Sequence, residues 1–380
     1  MQAVHWTEGA EPRSACWRSA AGAPPPRRVT VADDRMRAAL AHRLACEGTA
    51  LLWSGDFHNA RQLLRAMGRR MESRGRRAAA LPPDLPSAEA FRRYRQEQSR
   101  RARVLGMLLV PLDPGYDIPL RRAPDVRRAC AEAYGEPGTG PSVVPLRELL
   151  GLIGAHEWRR RGVDVPALGD RIHPHHGVFS PVRGEYVRLV AEAPLPARTR
   201  AFDIGTGTGV LAAVLARRGV ERVVATDRDP RALDCARENL ARLGCADRTE
   251  VLEADLFPPG RAPLVVCNPP WLPARPATPL EHAVYDPGSR MLRGFLNGLT
   301  AHLEPGGEGW LIISDLAEHL GLRSRAELLD AIGGAGLAVV GRLDTRPVHR
   351  RATDPTDPLH AARAAEVTSL WRLGLARPIM

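Results

Sequence analysis

The 380-residue chain contains no lysine: all 54 of its basic side chains are arginine. Alanine, glycine and proline are abundant beside it, as a GC-rich coding sequence would supply. The net charge of +11 therefore reflects codon supply as well as any attraction to polyanions. The chain also lacks an apolar run long enough to span a bilayer, and it shows no signal peptide, so a soluble cytoplasmic protein is expected. It lacks any Cys-x-x-Cys pair. Its six cysteines, Cys16, Cys46, Cys130, Cys235, Cys245 and Cys267, are scattered, which points to buried thiols in a reducing compartment rather than to a disulfide framework. No internal repeat is present. At this length two domains are expected, the larger with a full core.

What the chain does have is concentrated in two stretches. The first is Ala201-Phe202-Asp203-Ile204-Gly205-Thr206-Gly207-Thr208-Gly209-Val210, followed by an apolar helical pattern through Ala216. It reads as strand, tight turn, helix. Its Gly-x-Gly-x-Gly spacing differs from the Gly-x-Gly-x-x-Gly of a dinucleotide site, which argues against a nicotinamide-dependent oxidoreductase. Arg222 to Asp227 is a second strand ending in an acid, roughly 20 residues on, where a ribose-binding carboxylate is expected. Thr249 to Asp255 is a third. The second stretch is Leu264-Val265-Val266-Cys267-Asn268-Pro269-Pro270-Trp271, a buried strand running into a stiff turn.

Four motifs in this order, each at a strand end, resemble those of the class I S-adenosylmethionine-dependent methyltransferases, over roughly Gly177 to Met380. Asn-Pro-Pro-Trp narrows the resemblance to enzymes that methylate amide or exocyclic amino nitrogens, such as the glutamine-N5 methyltransferases of release factors and the adenine-N6 methyltransferases. The fold this implies is α/β: a Rossmann-like seven-stranded sheet with its last strand antiparallel. The implied cofactor is S-adenosylmethionine. Asp203 would take its ammonium, Gly205, Gly207 and Gly209 would let the chain approach it, and Asp227 would accept both ribose hydroxyls. Asp255 would take the adenine amino group, with Leu256 or Phe257 against the ring. Phe179 and Arg183, in the run entering the domain, would cover the pocket. Asn268 Oδ1 and the Pro269 carbonyl would hold the two N–H groups of the acceptor nitrogen, and Trp271 would stack on it; the family more often has tyrosine or phenylalanine there. Plainer roles stand beside these. Asp203 and Asp255 can cap helices, Asp227 can be a turn residue, Ser180-Pro181 can simply start a helix, and Asn-Pro can be a plain turn.

The rest of the chain reads as follows. Residues 1–30, with Pro24-Pro25-Pro26, are expected to be a disordered tail. Residues 31–165 are expected to be a helical N-terminal domain with runs such as Arg92-Arg93-Tyr94-Arg95 and Arg100-Arg101-Ala102-Arg103, either a docking face or a solvated one. Residues 166–380 are expected to be the methyltransferase domain. His173-Pro174-His175-His176 lacks the spacing of common metal sites, so no metal is expected. The proline-rich loop from Pro273 to Pro287 is expected to shape the acceptor mouth. The expected activity is methyl transfer to a nitrogen of a macromolecule, protein or nucleic acid, away from membranes. A small-molecule acceptor and a binding module that has lost catalysis are the rivals; intact Asp203, Asp227 and Asn268 speak against the second.

Overall fold

Strand-forming segments occur in both halves of the chain and build two separate large sheets. The computed structural model describes residues 2–78, 87–181, 184–276, 279–348 and 354–376. They fall into two units, Met1–Leu85 with Arg92–Glu157, and Pro86–Phe91 with Trp158–Met380.

The N-terminal unit corrects two expectations. Residues 1–30 are not a tail: β1 (Ala3–Glu8) and β2 (Glu11–Trp17) form an antiparallel hairpin, and β3 (Arg28–Ala32) follows. Residues 31–165 are not all helical. After α1 (Ala38–Cys46) comes β4 (Thr49–Trp53), then α2 (Phe57–Ala78), α3 (Ser87–Leu105), β5 (Leu108–Leu112), α4 (Arg127–Tyr134), β6 (Ser142–Pro145) and α5 (Leu146–Arg161). The six strands make a mixed sheet in the order β1-β2-β6-β5-β4-β3. The physical reason is two-sided burial. Leu51 and Trp53 of β4 enter one core with Phe57, Leu63 and Met67 of α2, while Ala50 and Leu52 enter a second with Val4, Ala15, Leu109 and Val143. A strand buried on both faces shows no alternation and cannot be told from a helix by period alone. The division also falls earlier than expected, between Glu157 and Trp158.

The C-terminal unit opens with a small hairpin, β7 (Val163–Val165) and β8 (Asp170–Ile172). Then come α6 (Glu185–Glu192), β9 (Arg200–Ile204), α7 (Val210–Arg217), β10 (Arg222–Asp227), α8 (Pro230–Arg242), β11 (Thr249–Glu253) and β12 (Ala262–Cys267). The chain continues with α9 (Arg290–His302), β13 (Leu303–Ser314), α10 (Leu316–His319), α11 (Arg325–Gly334), β14 (Leu337–Thr345), α12 (His360–Ala365) and β15 (Thr368–Leu375). The sheet order is β11-β10-β9-β12-β13-β15-β14, with β15 antiparallel to both neighbours. Successive strand residues point to opposite faces. Ala201, Val223, Val266 and Ile312 meet α6, α7 and α8 on one face; Phe202, Val224, Val265 and Leu311 meet α9 and α11 on the other. This is a Rossmann-like three-layer sheet. The strand order reverses between β9 and β12, and in open α/β sheets that crevice is where ligands bind. Among the described residues no helix is long and apolar enough to cross a membrane.

Candidate active site

The glycine turn after β9 is shaped for a close approach. Gly207 has φ +55, and a Cβ there would meet nothing within 4 Å. Gly209 has φ +78, and a Cβ would come within 3.2 Å of Ala236 Cα, so this glycine seats α7 against α8. At Gly205 the methyl of Met291 stands where a side chain would begin. Thr206 N–H donates to the Thr226 carbonyl at 2.8 Å, tying the turn to β10.

Two carboxylates flank the turn. Asp203 is 1% exposed. Its Oδ2 accepts from the Thr206 hydroxyl at 2.6 Å and from Ala212 N–H at 3.1 Å. Burial pushes its pKa up to about 6, against the pull of those two bonds. Asp227, at the end of β10, accepts from Gly207 N–H at 3.1 Å and from Asp229 N–H at 3.0 Å, one on each oxygen. Burial raises its pKa as well, opposed by those amides. Each Asp227 oxygen keeps a lone pair for a further donor.

Ahead of α6, Phe179 is half-buried in a loop that Val178 anchors against Ala232 and Cys235 of α8. Arg183 lies outside the described residues. In the same stretch the Ser180 hydroxyl and Glu185 Oε1 are buried with no hydrogen-bond partner among the described residues. Glu185 and Asp203 both raise the pKa of the buried Tyr186, although burial is the larger cause. These two acids therefore lie near one side chain. Sequence reading passed over Glu185; an acid on the buried side of an amphipathic helix start was the signal available. The neighbouring histidines tie this stretch down: His173 Nδ1 lies 2.6 Å from the Arg159 carbonyl, and His175 Nε2 lies 2.8 Å from Glu238.

The stretch after β11 behaves differently from the reading above. Asp255 turns to Arg290, 2.9 Å away, and is largely exposed. Phe257 stacks on His302 with ring centroids 4.2 Å apart and on Phe295 at 6.0 Å, so it belongs to the α9 face. Gly294 and Gly298, one turn apart on α9, make room for Leu256 and Phe257. Leu256 has φ +84, a left-handed conformation costly for a leucine, and its carbonyl accepts from the Thr226 hydroxyl at 2.5 Å.

Asn-Pro-Pro-Trp follows β12. Cys267 pairs with Ile204 of β9, so Asn268 and Gly205 leave adjacent strands at the same level. Trp271 Nε1–H donates to Asn268 Oδ1 at 2.9 Å. The loop beyond is pinned by Leu272 N–H to the Val284 carbonyl and Asp286 N–H to the Leu272 carbonyl. Asp286, 6% exposed, then caps α9 by accepting from Met291 and Leu292 N–H. The structure thus brings together Asp203, the three glycines, Asp227, Asn268, Pro269 and Trp271, and turns Asp255 toward Arg290.

The fold of this unit is Rossmann-like, with its glycine turn, strand-end acids and Asn-Pro-Pro-Trp segment gathered at the crevice. Residues 170–333 match the family model of the methyltransferase small domain. The chain is 36% identical over 159 residues to the release factor glutamine methyltransferase of Cereibacter sphaeroides, covering 38% of this chain and 56% of that protein. It is 44% identical over 84 residues to the ribosomal protein L11 methyltransferase of Pelotomaculum thermopropionicum, covering 22% and 27%. The chain thus spans a little over half the length of the first relative and about a quarter of the second. The crystal structure of the ribosomal protein L11 methylase from Lactobacillus delbrueckii subsp. bulgaricus aligns with a TM-score of 0.38 at 18% identity, over 55% of this chain and 88% of that one.

The cofactor that the match to this family model implies is S-adenosylmethionine, and the donor set here fits it. The cofactor has two cationic centres, an ammonium and a sulfonium. The site has buried acids, Asp203 and Glu185, with no cation bonded to either among the described residues. It also has a glycine turn open at Gly207 and a strand-end carboxylate with spare lone pairs for hydroxyls.

Proposed function

We propose that the C-terminal unit transfers a methyl group from S-adenosylmethionine to a side-chain amide nitrogen of a protein, glutamine being the acceptor that the first relative's name favours. The observation that carries this is the register of β12 on β9, which sets Asn268 beside the glycine turn.

The cofactor, when bound, supplies a methyl group already activated on sulfur. An amide nitrogen is a poor nucleophile because its lone pair is delocalised. Asn268 Oδ1 and the Pro269 carbonyl can each accept one of its N–H groups, which localises that pair toward the methyl. The prolines fix φ and so the aim of the carbonyl. The new carbon–nitrogen bond forms as the carbon–sulfur bond breaks. The nitrogen, now positive, sheds its proton without help from a strong base. Asp227 holds ribose hydroxyls, and Asp203 with Glu185 compensates positive charge.

A second reading has its own observation. Arg65, Arg69 and Arg101 line a groove of the N-terminal unit with Leu64, Gly68, Leu105 and Glu72, whose carboxylate pairs with Arg101 at 2.7 Å and leaves two arginines in excess of it. Such a groove suits phosphates, and binding there would fall steeply with salt.

Incubation of the protein with methyl-labelled cofactor and fractionated lysate tests both readings. Label is expected in protein, and acid hydrolysis is expected to release it as methylamine, since an N-methylated amide cleaves to that amine. Label in RNA or DNA favours the second reading. Label only in small molecules, or none that Asn268→Ala abolishes, overturns both.

A further inference from the structure

Trp271 does more at the end of β12 than offer a ring. Its indole N–H reaches back three residues, across Pro269 and Pro270, to Asn268 Oδ1 at 2.9 Å. The ring is half-buried and leans on both core clusters of the sheet, which fixes its edge. That matters because the Asn268 side chain has two ends of nearly the same shape and opposite chemistry. Turned one way it presents oxygen, an acceptor. Turned the other way it presents NH2, a donor, and repels the N–H groups of an acceptor amide. The indole N–H is a donor only, so it bonds to the oxygen and disfavours the flipped amide. The oxygen keeps a second lone pair. A phenyl or phenol at this position would carry no N–H at that place.

We propose that Trp271 is a positioning residue: its N–H holds the Asn268 oxygen toward the acceptor nitrogen. This rests on the reading of Asn268 given above. The geometry and the transfer role can be tested separately.

Protein labelled with nitrogen-15 at its indoles gives one signal per tryptophan, and the Trp271 signal is the one lost in Trp271→Phe. In Asn268→Ala that signal should move upfield as its bond is lost; an unmoved signal overturns the geometry. Single-turnover rates with methyl-labelled cofactor, on whichever lysate fraction the wild type labels, test the role. Trp271→Phe keeps a ring in the core and should slow transfer about tenfold, the effect of a misdirected hydrogen-bonding group. Affinity for S-adenosylhomocysteine and half-saturation by the acceptor should not change. An undiminished rate, or a loss confined to half-saturation, overturns the proposal. The sharper arm uses an Asn268→Asp background. A carboxylate has two equivalent oxygens and no wrong end, so adding Trp271→Phe there should cost nothing more; a further tenfold loss would mean that the indole only packs. A wild type that labels no fraction sinks the transfer reading itself, an outcome distinct from these.

Discussion

Two buried carboxylates sit at strand ends in the two units, and the protein treats them in opposite ways. Asp56, just past β4, is 1% exposed. Its Oδ2 takes Arg122 Nε at 2.6 Å, with Arg121 at 3.6 Å, and its Oδ1 takes His58 N–H. The Arg122 hydrogen bond outweighs burial and holds this acid below the usual carboxylate range. Asp203, on β9, is as little exposed but lies deeper, inside the sheet, where among the described residues it meets a hydroxyl and an amide, and burial prevails. A carboxylate sealed by a built-in arginine is finished structure. One left among neutral donors lowers stability until a positive ligand arrives. Because the Asp203 pKa in the fold, about 6, exceeds the ordinary 3.8, the unfolded chain gives up its proton first. Stability therefore falls as pH rises from about 4 to 6, by about 3 kcal/mol in all, and that deficit persists above 6. The comparison teaches where to look for a cationic ligand: at the buried acid that has no partner cation among the described residues.

The largest expected effect separates chemistry from this electrostatic preparation. Asn268→Ala should lower turnover by about a hundredfold or more and leave affinity for S-adenosylhomocysteine nearly unchanged. Loss of affinity instead would make the β12 end part of the binding half. Next in size, Asp227→Ala should weaken cofactor binding by about tenfold or more in a folded protein, measured by calorimetry. Unchanged affinity would remove Asp227 from the site. The smallest effects carry opposite signs. Arg122→Ala should lower the melting temperature, because it removes the charged hydrogen bond to Asp56. Asp203→Asn should raise the melting temperature of the ligand-free protein at pH 7.5, because its amide oxygen can still accept from Thr206 and Ala212 without a charge to bury. Shifts of the same sign in scanning calorimetry would erase the contrast between the two acids.

Much of the C-terminal unit was legible. β9, β10 and β12 are short, mostly apolar runs leading into a glycine, an acid or an asparagine, and β9, β10, β11 and β12 fall where the sequence places strands. The N-terminal sheet was not. β1 and β2 bury little beyond Val4 and Ala15, so their pattern is faint. β5 follows α3 after only Gly106 and Met107, so its leucines read as a continuation of the helix. At the site, motif spacing singled out Asp203, Asp227 and Asn268, which stand at or just past the ends of β9, β10 and β12. It did not reveal that Asp255 turns to Arg290, 35 positions along the chain, or that Trp271 and Asn268 bond to each other, since both depend on side-chain rotamers.

The most direct test of the central claim, that the buried Asp203 carboxylate serves a positively charged cofactor, is calorimetric titration with S-adenosylmethionine at pH 5 and pH 8, in buffers of different ionisation enthalpy. With a pKa of about 6, the wild type should bind about tenfold more weakly at pH 5 and release close to one proton there. Asp203→Asn should show a smaller pH dependence by that factor and release correspondingly fewer protons. Identical pH profiles and proton counts in the two proteins would contradict the account.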